Sequence, residues 1–145
     1  MHPAPAARAA FRAANSVDLT RVGSGRLGEF AEQNALPAAV RFAADHALSE
    51  LLQNIIDHST AGEIEYEFTV DAHRLTLTIL DDGAPFDPLS VPSPDLELSI
   101  DDRPIGGLGV HMMRKLMDGI SYQRLNGRNQ IVMTKRISSP SQLNS

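Results

Sequence analysis

The spacing of apolar residues along this chain changes period several times, and each change marks an element. In EIEYEFTV, 63–70, Ile64, Tyr66, Phe68 and Val70 alternate with polar residues, the two-residue period of a half-buried strand. Asp71 and Ala72 turn the chain, and 73–80 returns with Leu75, Leu77 and Ile79 inward, so the two segments form a hairpin. Upstream the period is 3.6. In LPAAVRFAADHALSELLQNIIDHS, 36–59, Leu48, Leu51, Leu52, Ile55 and Ile56 make one apolar stripe, and Pro37 suits a first helical turn. SGRLGEFAEQN, 24–34, predicts a shorter helix with Leu27, Phe30 and Ala31 on one side. GGLGVHMMRKLMD opens another helix at a glycine cluster. ISYQRL and QIVMTKRI follow as strands joined by Asn126-Gly127, the strongest short hairpin signal. The sum is an α+β fold, a two-layer α/β sandwich with helices packed on one face of a mixed, mostly antiparallel sheet.

Composition narrows the classes. A chain of 145 residues with 42% hydrophobic and 21% charged residues has the balance of a soluble domain able to bury a core. With no cysteine, disulfides and thiolate metal sites are excluded. A net charge of −5 argues against broad nucleic-acid binding, which depends on Lys and Arg against phosphates. No apolar run reaches membrane-spanning length, so the expectation is a cytoplasmic protein with neither nucleic-acid nor membrane partner. Residues 1–14, MHPAPAARAAFRAA, lack the apolar run of a signal peptide and read as a flexible tail. The expected domain covers 15–137, and 138–145 reads as a second tail.

Three constellations carry candidate chemistry. On the long helix Glu50, Asn54 and His58 are spaced i, i+4, i+8 and fall on one side beside Asp57, with the leucine stripe opposite. A solvated polar face is the ordinary reading. Asn is not a natural choice for such a face, however, and its amide oxygen is a good Mg²⁺ ligand, while Glu50 could take a proton from a hydroxyl nearby. GGLGV, Gly106, Gly107, Leu108, Gly109 and Val110, brings backbone N–H groups to a helix start, where they can wrap an anion. A glycine turn ending a loop is its ordinary alternative, and there is no G-x-x-x-x-G-K-[ST] phosphate loop. DDGAPFDP, 81–88, could be a plain turn, or Asp81 could accept a hydrogen bond from the adenine amine with Gly83 admitting the ring. Between the last two lies a segment rich in proline and acid, long enough for a functional loop.

In this order, E-x-x-x-N on a helix, a hairpin ending in D-x-G, a proline-broken loop and G-x-G at a helix start, the chain resembles the Bergerat ATP-binding fold of the histidine-kinase-like (GHKL) ATPase superfamily. The likeness runs from Leu36 to Ile137. LSELLQNIIDH, DDGAPFDP and GGLGVHMMRKLMD look most like the boxes of the small anti-sigma-factor serine/threonine kinases. Pro85 stands where many superfamily members have a second glycine, a feature of that subgroup. The resemblance implies ATP and Mg²⁺ as cofactors, Asn54 as metal ligand, Glu50 as general base, Asp81 and Gly83 as adenine contacts, and residues 106–110 beside the phosphates. It sets His58 near the phosphate end and makes 87–105 an ATP lid. It further implies a protein kinase acting on an anti-sigma-factor antagonist, holding a sigma factor on another face, and forming a homodimer. Histidine autophosphorylation is not expected, since no helical segment bearing a phospho-acceptor is seen. An ATP-gated binding module without kinase activity is the alternative.

Overall fold

The computed structural model describes residues 7–90 and 105–137. Five strands, β1 (Ala7–Ala14), β2 (Glu63–Val70), β3 (Arg74–Asp81), β4 (Gly119–Leu125) and β5 (Arg128–Arg136), form one sheet in the order β1-β2-β3-β5-β4. Every neighbouring pair is antiparallel, so the expected mixed sheet is antiparallel throughout the described residues. Three helices, α1 (Leu19–Gln33), α2 (Ala38–His58) and α3 (Ile105–Leu116), cover one face. Alternation puts Ile64, Tyr66, Phe68, Leu75, Leu77, Ile79, Ile131 and Met133 on the helix side, where they are buried with Leu27 and Phe30 of α1, Leu48, Leu51, Leu52 and Ile55 of α2 and Met113 of α3. The other face is polar.

The reading of 1–14 as a tail is corrected for residues 7–14. ARAAFRAA forms the edge strand β1, paired with β2 from Ala7 opposite Val70 to Ala14 opposite Glu63. Alanine is a weak strand former, so backbone pairing and a few side chains hold it. Phe11 packs against Tyr66 and Phe68, with ring centroids 5.4 and 5.8 Å away, and the Arg26 guanidinium lies 4.4 Å over its ring. Arg8 pairs with Glu67 at 2.7 Å and Arg12 with Glu65 at 2.7 Å, on the exposed face where such pairs contribute little each. The expected tail 138–145 lies outside the described residues.

Helix α1 begins five residues earlier than the predicted 24. Its three glycines weaken the helical pattern, yet Gly23 has a packing reason to be there. A Cβ on Gly23 would lie 2.5 Å from Leu52 Cδ1, so the missing side chain lets α1 approach α2 closely. Ala35, at φ 51°, turns the chain between these helices in the left-handed region. At the other end of the sheet, Asn126 and Gly127 both have positive φ (53° and 76°), as the two-residue turn between β4 and β5 requires. Lys135 of β5 donates from Nζ to the carbonyl of Leu116 at 2.7 Å, satisfying the C-terminal end of α3.

Candidate active site

The alternation on β3 runs Leu75, Leu77, Ile79, Asp81, and that on β5 runs Asn129, Ile131, Met133. Both patterns carry a polar residue inward at the same end of the sheet, and the register sets Asp81 directly opposite Asn129. Both are buried, at 7% and 2% exposure. A buried polar group is costly unless it is paired, and these two are paired with each other. Asn129 Nδ2 donates to Asp81 Oδ1 at 3.0 Å and to the Ala84 carbonyl at 2.9 Å. Asn129 Oδ1 accepts from the Tyr122 hydroxyl at 2.6 Å, from Arg124 Nη1 at 3.1 Å and from the Phe86 N–H at 3.2 Å. Arg124 also donates to the Gly83 carbonyl at 2.7 Å and the Gly127 carbonyl at 3.1 Å.

The turn DDGAPF is therefore fixed residue by residue. Asp81 Oδ1 also accepts the Gly83 N–H at 2.9 Å. Asp82, its exposed neighbour, turns the other way and accepts the N–H groups of Gly62 and Glu63 at 2.8 and 3.1 Å, which hold its carboxyl below the usual range. The Ala84 N–H donates to Thr60 Oγ1 at 2.8 Å. A Cβ on Gly83 would meet Ser59 Oγ at 2.7 Å and the backbone nitrogen of Ala61 at 2.8 Å. Glycine is thus required by the close approach of the loop after α2, in addition to any ligand. Beyond the turn, Asp87 accepts the Leu89 N–H at 2.8 Å within the single 3-10 turn Pro88–Ser90, and Arg114 of α3 donates to the Leu89 carbonyl at 2.8 Å. Of the expected lid 87–105, residues 91–104 lie outside the described residues.

The loop after α2 brings that helix to the turn. The sequence expectation put Asn54 opposite the leucine stripe, and the structure corrects this. Asn54 is only 5% exposed, at the margin of the apolar arc between Leu51 and Ile55. The arc is wide because Val40, Ala43, Ala44 and Ala47 extend it, and α2 is covered by α1, α3 and the sheet together. Asn54 Nδ2 has no hydrogen-bond partner among the described residues. Glu50, one turn earlier, is half-buried, and its pKa is raised by desolvation first and by the nearby Asp57 second, against a smaller lowering by His46. Exposed His58, at the end of α2, lies 6.2 Å from the Phe86 ring, centroid to centroid, so its recorded neighbour belongs to the DDGAPF side. Helix α3 begins at Ile105, which puts Gly106 and Gly107 in the first turn, whose N–H groups have no partner within the helix. Leu108 and Gly109 follow within the helix. The Val110 side chain is buried in the core.

Three residues of this region, Asn129, Tyr122 and Arg124, were not singled out from the sequence. A signal existed for Asn129: it is the polar member of an alternation it shares with Ile131 and Met133. Among the described residues no group of three His, Asp or Glu side chains could hold a metal. An ion here would therefore depend on Asn54 together with oxygens from a bound phosphate and water, which suits Mg²⁺.

Residues 13–135 match the family model of the histidine kinase-like ATPase domain, and the chain belongs to that family. It is 37% identical over 101 residues to the serine/threonine-protein kinase BtrW of Bordetella bronchiseptica, an alignment covering 67% of this chain and 71% of the relative. Identity to the serine-protein kinase RsbW of Bacillus cereus is 32% over 98 residues, which is 63% of this chain and 61% of that protein. A crystal structure of the RsbU and RsbW domains of a Mycobacterium tuberculosis protein superposes with a TM-score of 0.67 over 94% of this chain and 34% of that one; at 15% identity the likeness is one of fold. No helix among the described residues is long and apolar enough to cross a membrane.

Proposed function

We propose that this chain is a Mg²⁺–ATP-dependent serine/threonine protein kinase of the anti-sigma type. The observation that carries the reading is the pair on α2: a buried Asn54 whose amide has no partner among the described residues, one turn from a Glu50 whose carboxyl is partly desolvated. A solvated helix face would leave neither feature, and a packing role would have filled the Asn54 position with an apolar side chain. Asp81 and Gly83 would receive the adenine, Asn54 Oδ1 would hold Mg²⁺, and the first-turn N–H groups at Gly106 and Gly107 would serve the phosphates. Mg²⁺, when bound, would supply positive charge against the phosphate oxygens. Glu50 accepts the proton of the protein hydroxyl. Its raised pKa brings it closer to working pH, which makes it a better base.

The likeness supports a reading in which an antagonist protein is the phosphorylation substrate and a sigma factor is held on another face, with the kinase itself a cytoplasmic homodimer. Co-purified proteins identified by mass spectrometry supply the substrate for the decisive test. In a phosphorylation assay on that substrate, Glu50→Gln should keep nucleotide binding and lose transfer by about two to four orders of magnitude. Equal, negligible transfer by wild type and Glu50→Gln, with partner capture still dependent on ATP, would instead make the chain an ATP-gated binding module.

A further inference from the structure

We propose that Asn129 is the positioning residue for base selection, a side chain that orients Asp81 toward an amine-bearing purine. The proposal rests on the ATP reading of the site. Its orientation is dictated by its neighbours. Three donors, the Phe86 N–H, the Tyr122 hydroxyl and Arg124 Nη1, converge on Oδ1, while two acceptors, Asp81 Oδ1 and the Ala84 carbonyl, face Nδ2. A flipped amide would set donor against donor at the Phe86 N–H and at Arg124, and acceptor against acceptor twice; the Tyr122 hydroxyl alone could turn to accept.

The consequence falls on Asp81. A lone carboxyl at a strand end can rotate about its terminal torsion, which is broad for Asp. Here Oδ1 is tied by two donors from different elements, the Gly83 N–H on its own turn and Asn129 on the facing strand. The bond to Asn129 cannot survive a rotation that exchanges the two oxygens without moving Oδ2 into its place. One oxygen is thus committed to the protein, and Oδ2 is left for the ligand. An oxygen that only accepts matches the 6-amino group of adenine and opposes the 6-oxo group of hypoxanthine or guanine. Arg124 adds a second tie on the same corner through the Gly83 carbonyl, so the β4–β5 hairpin holds both residues assigned to the base.

The test is calorimetric titration with ATP and ITP, which share the ribose and triphosphate and differ at the purine edge, where ITP has a 6-oxo group and a protonated N1 in place of the amine, each with Mg²⁺ and well below the unfolding temperature. Wild type should prefer ATP by about tenfold or more, the scale set by leaving a buried polar group unpaired. Asn129→Ala should lose ATP affinity while retaining ITP affinity, so that the ratio falls to within about threefold of unity. A residue that merely stabilised the fold would weaken both nucleotides together and leave the ratio unchanged, and that result overturns the proposal while leaving Asp81 in place. A wild type that binds ATP and ITP equally overturns the base assignment of Asp81 itself, and the proposal with it. Should Asn129→Ala fail to fold, Tyr122→Phe removes one donor from Oδ1 without changing shape. It should lower the ATP-to-ITP ratio by about two- to fivefold, the worth of one hydrogen bond; an unchanged ratio overturns the proposal.

Discussion

The two ends of the candidate site differ in how complete they are. At the base end every polar group on DDGAPF that the structure buries has a partner: Asp81, Asn129, Tyr122 and Arg124 close on one another and on the backbone. At the phosphate end Asn54 keeps an unpartnered amide among the described residues, and Glu50 is partly desolvated beside another acid. Both ends contain a buried asparagine, at 2% and 5% exposure, yet one is the hub of a network and the other is not. The base end is organised before any ligand arrives. On the proposed reading a ligand would complete the phosphate end, where the unpartnered Asn54 Nδ2 is a cost to the fold.

The same substitution made at both asparagines breaks or confirms this contrast. Asn129→Leu should destabilise by about 2 to 4 kcal/mol, because it strips partners from buried Asp81 and from Tyr122, Arg124 and two backbone groups. Asn54→Leu should do the opposite and stabilise by about 1 kcal/mol, because it replaces an unsatisfied buried amide with an apolar side chain of similar size. It should also abolish Mg²⁺-dependent nucleotide binding. Urea unfolding of the two variants, without nucleotide, measures both signs. A loss of stability at both positions would show that Asn54 is satisfied after all and that the two ends are alike.

A smaller effect sharpens the phosphate end. Desolvation and Asp57 raise the Glu50 pKa, so the acid limb of kcat/KM for transfer should lie above the ordinary glutamate value of 4.5. Asp57→Asn removes the like charge and should move that limb toward lower pH without abolishing the rise, since burial is the larger cause and remains. The sign for folding follows. Between the unfolded pKa and the raised folded one the native state binds more protons, so this group's contribution makes stability fall as pH rises through that window. Glu50→Gln should accordingly unfold at a slightly higher temperature than wild type near neutral pH. An acid limb that ignores Asp57→Asn would argue that Glu50 does not titrate in the transfer step.

How far the sequence carried these results depended on side-chain size and on direction. The β2–β3 hairpin was legible because Ile64 to Val70 and Leu75 to Ile79 are large and alternate, and its expected and observed limits agree to within a residue. Strand β1 was not, because its inward positions are Ala7, Ala9, Phe11 and Ala13, and three alanines do not register as a hydrophobic face. Helix α1 lost its first turn at Gly23, whose role is closeness to α2. In the site, Glu50, Asn54, Asp81 and the glycine cluster were recognised in order, but spacing alone put Asn54 on the wrong side of α2. The width of the buried arc is a tertiary fact, and the small residues that extend it, such as Ala43 and Ala47, are buried without adding to the leucine stripe. Asn129 was passed over because a lone asparagine after a turn is common, and only its register against Asp81 distinguishes it.

That register has a bearing on how errors in folding would show. A slip of β5 by one residue against β3 would turn Ile131 and Met133 to the polar face, and it would also carry Asn129 away from Asp81. The Asn126-Gly127 turn joins β5 to β4 alone, so it does not police this pairing. The cross-strand Asp81–Asn129 bond does, since no neighbouring position on β5 offers the same amide at the same depth. A misregistered chain is therefore expected to lose its core and its base site in one event, and retention on immobilised ATP would separate correctly paired molecules from slipped ones during refolding.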